Sequence, residues 1–312
     1  MGEGRRARGA GVRLGLAMLL GLIPVACGQE DRPTATLSAL DDDAVTVGSF
    51  DFAESALLSE LYAQALEGKG YIVERAGAVG PREIVAPALV RGLLELVPEY
   101  AGTALTFLSL GDTRPTADMA STHEALSRSA AERGLVALAP SPAQDANAFV
   151  VTRATAERLG LEKVSDLAPL AGDLSFGGPP ECSTRPLCLK GLRDTYGIEF
   201  GTVLALDPGG PRTRDALHDG AIDVALMFTT AATIDADDLV VLADDRHLQP
   251  AENVTPLVRQ DVVDRWGQEL VDTVDAVSER LTTDELRRLN ALLEAGSPRA
   301  VATEWLQEQG LA

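Results

Sequence analysis

The chain has 312 residues, 46% of them hydrophobic, enough to bury a substantial core and usually divided between two compact units. Its formal net charge of −20 argues against a nucleic-acid binder, because phosphate affinity needs clustered Lys and Arg. A metal site is not expected either: the three histidines, His123, His218 and His247, have no ligand-like spacing to each other or to the cysteines.

The N-terminus reads as an export signal. Arg5, Arg6, Arg8 and Arg13 precede an apolar run from Leu14 to Ile23, and the small residue Ala26 stands immediately before Cys27. The run is short for a permanent membrane anchor. Val25, Ala26, Cys27 and Gly28 resemble a bacterial lipobox, with Pro24 in place of the usual leucine, so residues 1–26 are expected to be removed and Cys27 to carry a lipid. Ordinary signal cleavage and a retained anchor are the alternatives. Residues 27–43, with Pro33 and Asp41 to Asp43 among small polar residues, read as a flexible tether. Nothing after residue 43 has the length and apolarity of a membrane span, which places the functional body outside the cytoplasm, on the outer face of the membrane.

From residue 44 the pattern alternates. Ala44 to Gly48 reads as a strand, Glu54 to Leu66 as a helix with Leu57, Leu58, Leu61, Ala65 and Leu66 on one face, and Gly68 and Gly70 as its stop. Tyr71 to Arg75 is a strand, Pro81 opens a helix carrying Ile84, Leu89 and Val90, and Leu94 to Val97 is a further strand. Strands joined by helices argue a parallel, doubly wound α/β lobe. The alternation resumes at Ala148 to Thr152, Asp173 to Phe176, Val203 to Leu206, Ala221 to Phe228 and Leu239 to Leu242, indicating a second such lobe. Beyond residue 260 the pattern is helical, with Val262, Leu270, Val274 and Val277 in one helix and Leu286, Leu289, Leu292 and Leu293 in another. Trp266 and Trp305 are expected to be packing residues.

Cys182 and Cys188 lie in a proline-rich segment with five residues between them. In an oxidising compartment they are expected to form a disulfide, contributing roughly 2 kcal/mol and fixing the backbone around Arg185.

The segment Gly48 to Glu54, reading GSFDFAE, is followed by LYAQALEGKGYIVER, PREIVAPALVRG, VPEYAGTAL, PPECSTRPLCLKGLRDTYGIEF, AIDVALMFTT, DDRHLQPAENVTPLV and LTTDELRRLNALL. In this order and spacing the chain resembles the glycine betaine, choline and carnitine-type substrate-binding lipoproteins of ABC importers. The resemblance implies a type II periplasmic-binding fold, α/β with two lobes and two crossovers. Residues 44–146 with 249–312 would form the first lobe and 147–248 the second, with the ligand in the cleft between them.

Members of that family hold a quaternary ammonium among aromatic rings, whose faces attract a desolvated cation. By resemblance Tyr100 and Phe228 are cage aromatics, Thr103 and Thr229 supply hydroxyls, Arg185 grips a carboxylate, and Asp145 presents a carbonyl or carboxylate nearby. Asn147 and Asn253 stand where rings are expected; an amide offers directional donors and acceptors but no π face. Ser49, Phe52 and Glu54 open the first helix, where free amides can meet a polar group. The competing readings are a core role for Phe52, a cap for Glu54 and a surface ion pair for Arg185.

The expected function is delivery of a small osmoprotectant-like solute, without cofactor, to ABC permease subunits by a monomer whose lobes close on the ligand. Loss of rings to amides predicts weak binding of simple choline or betaine and a more polar or larger cargo. The alternatives are a hydroxylated, non-cationic ligand such as a glycoside, phenolic or polyol, and a sensor that docks to a membrane receptor. No GxSxG, HExxH or Walker-type loop is present; Asp244, Asp245 and His247 are the only acid and imidazole cluster, so an enzyme is not expected.

Overall fold

The computed structural model describes residues 43–207 and 209–312; the export signal, Cys27 and all of the tether before Asp43 lie outside the described residues. Ten strands are described: β1 (Ala44–Gly48), β2 (Ile72–Ala76), β3 (Leu96–Tyr100), β4 (Leu135–Ala137), β5 (Asn147–Thr152), β6 (Ser175–Gly178), β7 (Thr202–Ala205), β8 (Val224–Phe228), β9 (Leu239–Val241) and β10 (Val254–Arg259). They form two five-stranded sheets of order β2-β1-β3-β10-β4 and β7-β6-β8-β5-β9.

Each sheet is mixed rather than wholly parallel, which corrects the sequence expectation. β1 runs parallel to β2 and β3, and β6 parallel to β7 and β8. In contrast β10 is antiparallel to β3 and β4, and β5 to β8 and β9. The reason is directional. β3 and β8 end at the junction of the two sheets, whereas β5 and β10 are the strands on which the chain arrives from the other lobe. They start at the junction and must run away from it. The short β4 and the crossing strand β10 carry no isolated alternating pattern, and neither is legible in the sequence.

The two crossings, residues 138–146 and 242–253, meet each other. Asp145 N donates to Glu252 O at 3.1 Å, Val254 N to Ala143 O at 3.0 Å and Ser141 N to Val254 O at 2.8 Å, and Gln144 bridges Asn253 in antiparallel register. Asn253 belongs to this seam: it is 1% exposed and its Nδ2 donates to Ser141 O at 2.8 Å.

The first lobe has one large core. The helix Ala53–Gly68 buries Leu57, Leu58, Leu61, Ala65 and Leu66 as its periodicity predicts, against the helices Gln268–Ser278 and Pro298–Gln309. Tyr62 places its hydroxyl 3.0 Å from Ser278 Oγ. Pro81 is the residue before the helix Arg82–Val90, in which Val85 and Leu89 are buried while Ile84 is exposed. In the second lobe the sheet is covered on both faces, by Phe149, Phe176, Leu192 and Tyr196 on one side and Val150, Leu217, Met227 and Ile234 on the other. No helix among the described residues is long and apolar enough to cross a membrane.

Trp305 is fully buried in the first core and donates Nε1 to Glu285 Oε1 at 2.6 Å; Trp266 packs its edge against Tyr71 at 5.2 Å between centroids. Truncating Trp305 to alanine opens a cavity and removes one donor from Glu285 Oε1, which Arg288 Nη2 still reaches at 2.8 Å. Trp305→Ala is expected to lower unfolding free energy by about 3–5 kcal/mol, read from the urea midpoint by far-UV circular dichroism.

Candidate functional site

A cavity of about 710 Å³ opens where the two sheets meet. The strand directions described above determine its walls, because ligand clefts in such sheets lie beyond strand ends. Phe52 is the residue before the helix Ala53–Gly68 that follows β1, Tyr100 is the last residue of β3, Phe228 is the last of β8 and Asn147 is the first of β5. Antiparallel register sets Asn147 opposite Phe228 and Val254 opposite Tyr100.

Three rings line the space. Phe52 stacks on Tyr100 with centroids 6.3 Å apart and on Phe50 at 5.8 Å, and Phe228 comes from the other lobe. Phe52 and Phe228 keep 44% and 38% of their surface exposed, unusually much for phenylalanine, and both line the cavity. Tyr100 is buried and donates its hydroxyl to Glu54 Oε1 at 2.6 Å. Burial, with the neighbouring Glu54 and Asp145 charges, pushes its phenol well above the ordinary tyrosine range, so it stays a donor.

Carboxylates fill the intervals. Glu54, in the first turn of its helix, also accepts from Asn290 Nδ2 at 2.5 Å. Glu252 accepts from Thr103 Oγ1 at 2.6 Å and from Thr103 N at 3.0 Å, capping the helix Ala101–Leu108 from the second crossing. That approach depends on Gly102, where a Cβ would meet Ala251 O at 2.9 Å and Glu252 Oε1 at 3.1 Å. Asp145 accepts from Thr230 Oγ1 at 2.8 Å. Burial raises the Asp145 carboxyl well above its usual range, with Glu54 adding to the shift, and burial likewise raises Glu252. Arg82 lines the cavity, but its Nη2 is 2.8 Å from Glu99 Oε2 and its guanidinium sits 5.0 Å over the Phe50 ring.

Asn147 and Leu187 from the second lobe, with Gln249 from the second crossing, complete the wall. Asn147 Nδ2 donates to Leu187 O at 3.3 Å and Gln249 Oε1 at 3.4 Å, and Gln249 Nε2 donates to Leu187 O at 2.9 Å. Leu187 stands in the loop closed by the Cys182–Cys188 disulfide, whose Cα atoms are 5.2 Å apart. Asn290 also donates to Thr230 O at 3.0 Å, and Arg287 Nη2 donates to Thr229 O at 2.9 Å, so the helix Thr283–Leu292 holds the first lobe to the second.

Of the residues singled out in the sequence, the structure brings Phe52, Tyr100, Thr103, Asp145, Asn147 and Phe228 to one cavity. Four others stand elsewhere. Ser49 is buried beneath it, its Oγ accepting from Ala78 N at 2.9 Å. Thr229 turns its hydroxyl to the first crossing, accepting from Ala146 N at 3.0 Å and donating to Gln144 O at 2.7 Å. Asn253 holds the seam between crossings instead of replacing a ring. Arg185 points outward with its side chain 62% exposed, 3.3 Å from Glu181; the surface ion pair is what the structure shows. The Asp244, Asp245 and His247 cluster is also accounted for: Asp244 accepts from Tyr196 Oη, Leu248 N and Gln249 N, and Asp245 from Ser165 N and Oγ. Among the described residues no group of three or more His, Cys, Asp and Glu side chains is arranged to hold a metal ion. Sequence reasoning missed Arg82, Gln249, Glu252 and Asn290 as wall residues. Gln249 and Glu252 had a signal, their place at the expected second crossing.

An aromatic and acidic cavity at the junction of two α/β lobes defines a two-lobed solute-binding protein. Residues 43–308 match the family described as the substrate binding domain of ABC-type glycine betaine transport systems, and the chain belongs to that family. It is 29% identical over 282 residues to a glycine-betaine-binding protein of Pseudomonas aeruginosa, covering 86% of this chain and 89% of that one. It is 24% identical to an ergothioneine transport permease/ergothioneine binding protein of Helicobacter pylori, covering 88% of this chain and 49% of that longer one. A crystal structure of a glycine betaine/carnitine/choline ABC transporter superposes with a TM-score of 0.78 at 28% identity, covering 86% of this chain and 99% of that one.

Two outcomes follow from the geometry of the wall. A carboxyl whose pKa is raised on folding binds its proton more tightly in the folded state. Its contribution to stability is present in full below the unfolded pKa and lost as pH rises through the folded one. Asp145→Asn is therefore expected to raise the melting temperature of the ligand-free protein at about pH 8, with the gain shrinking towards about pH 4, in paired scanning calorimetry. Replacing Cys182 and Cys188 with serine is expected to cost about 2 kcal/mol in urea unfolding, because the short loop carrying Leu187 O loses its closure.

Proposed function

We propose that the chain captures a small quaternary-amine solute in this cavity and hands it to the permease of an ABC importer. The observation that carries the reading is the set of rings from both lobes, Phe52 and Tyr100 from one and Phe228 from the other, around a space lined with carboxylates. A trimethylammonium group has no hydrogen to donate, so it is held by ring faces and by long-range attraction to negative charge, each ring contributing about 0.5–2 kcal/mol when the cation is desolvated.

Residues 44–146 with 249–312 form the first lobe in this reading and 147–248 the second. The lobes rotate about the hydrogen-bonded crossings, and the bound cation bridges them by touching rings on both sides. No chemical step is required. Arg287 and Asn290, which reach across to the carbonyls of Thr229 and Thr230, hold the closed arrangement. The export signal and lipobox-like Cys27 support an extracytoplasmic body tethered to the outer face of the membrane, and in this reading the body acts as a monomer.

The asparagines do not redirect the site towards a sugar or phenol in this reading. Asn253 is withdrawn into the seam, and the Asn147 amide nitrogen is drawn to Leu187 O and Gln249 Oε1, so the rings remain the exposed recognition surface. Isothermal titration with choline, carnitine and glycine betaine is expected to find saturable binding by the wild type, and Phe228→Ala is expected to weaken it by about 2- to 30-fold. Absence of binding by every member of the panel, or unchanged affinity in Phe228→Ala, would contradict the reading.

A further inference from the structure

The cavity is poor in positive charge. Glu54, Asp145, Glu252 and Glu294 line it, and Arg82 is its lone basic residue, already paired with Glu99. Among the described residues no Lys, Arg or His lies within ion-pair distance of Glu54, Asp145 or Glu252; every hydrogen-bond partner of these three side chains is neutral. Glu54 and Glu252 each have both oxygens hydrogen-bonded, and both are nine-tenths buried. Asp145 differs, because its hydrogen bonds come from a single residue, the hydroxyl and backbone N–H of Thr230, and it lines the cavity. Asn290 adds to the surplus of acceptors: its Nδ2 is committed to Glu54 and Thr230 O, and its Oδ1 has no partner.

A buried carboxylate without a close cationic partner is costly, and the cost is met by taking up a proton or by an arriving positive charge. A zwitterion brings its own carboxylate into this field, and the single guanidinium that could receive it is shared with Glu99. A cation brings none. Resting on the quaternary-amine reading above, we infer that the cavity selects an organic monocation, a hydroxylated quaternary amine without a carboxylate, over the zwitterionic analogue of the same headgroup, and that Asp145 sets the preference. Asp145 lies on the first crossing and lines the same cavity as the rings from both lobes, with Glu54 from the first helix, Glu252 from the second crossing and Tyr100 from β3 as its titratable neighbours. It accepts the ligand's hydroxyl or faces its ammonium, and the ligand's charge replaces the proton that burial otherwise favours.

Choline and glycine betaine share one headgroup and differ in bearing a hydroxyl or a carboxylate, so the pair isolates the claim. Isothermal titration of both is to be run on wild type, Asp145→Asn and Asp145→Glu between about pH 5 and about pH 8, with melting temperatures checked for each variant. The wild type is expected to bind choline at least about tenfold more tightly than glycine betaine, and choline affinity is expected to be higher at the upper end of the range than at the lower, because a raised carboxyl carries more negative charge as pH rises. Asp145→Asn is expected to cut choline affinity by more than about tenfold, change glycine betaine affinity by less than about threefold, and remove the pH dependence; Asp145→Glu retains part of the preference. Glycine betaine binding as tightly as choline in the wild type, or equal loss of both in Asp145→Asn, overturns the preference while leaving the quaternary-amine reading intact. Binding of neither compound overturns both. The wild-type ratio alone decides the matter if either variant fails to fold.

Discussion

Everything at the cleft depends on the pairing of two short crossings. Where residues 143–145 and 252–254 hydrogen-bond to each other, the chain is obliged to start one strand of each sheet at the junction and run it away, antiparallel to its neighbours. That single constraint places Asn147 opposite Phe228, sets Val254 opposite Tyr100, and carries Asp145 and Glu252 into the space between the lobes. The backbone amides of the first crossing are satisfied, Asp145 N by Glu252 O, Ala143 N by Leu281 O, and Gln144 N and Ala146 N by the hydroxyls of Thr283 and Thr229, which leaves the Asp145 side chain free to line the site.

The charge of that site is arranged with the same economy. Tyr100, Asn290, Thr103 and Thr230 satisfy carboxylate oxygens with neutral donors, so hydrogen bonding is met while net charge is not. An apolar wall beside unneutralised negative charge is a poor arrangement for a core and a good one for an organic cation. The raised carboxyls of Asp145 and Glu252 record the same conflict as a proton affinity. Stability given up at these positions in the empty protein is available to ligand binding.

The sheets and the first helix were legible because their patterns are local: Ala44 to Gly48 is a short β-rich run, and Leu57, Leu58, Leu61, Ala65 and Leu66 recur with helical period. What local pattern does not encode is strand direction, and the antiparallel course of β5 and β10 follows from connectivity between lobes. Tyr100 and Phe228 were reached through the family resemblance, as was Asn147, which stands opposite Phe228. Asn253 was read as a cage position through the family resemblance, yet one step along an extended chain turns a side chain to the other face, and its amide serves Ser141 O. Arg185 sits in the right loop, but the disulfide-closed loop turns Leu187 to the cavity and leaves the guanidinium to Glu181. Arg82 and Asn290 were invisible because their helices carry no mark of which polar face meets the other lobe.

Enclosure of one cation at the junction by rings from both lobes is tested most directly by a crystal structure of the protein grown with choline. The trimethylammonium group is expected among Phe52, Tyr100 and Phe228, with Asp145 in contact. Density for the ligand in the smaller cavity beside Ala117 and His247, or against one lobe alone, would contradict it.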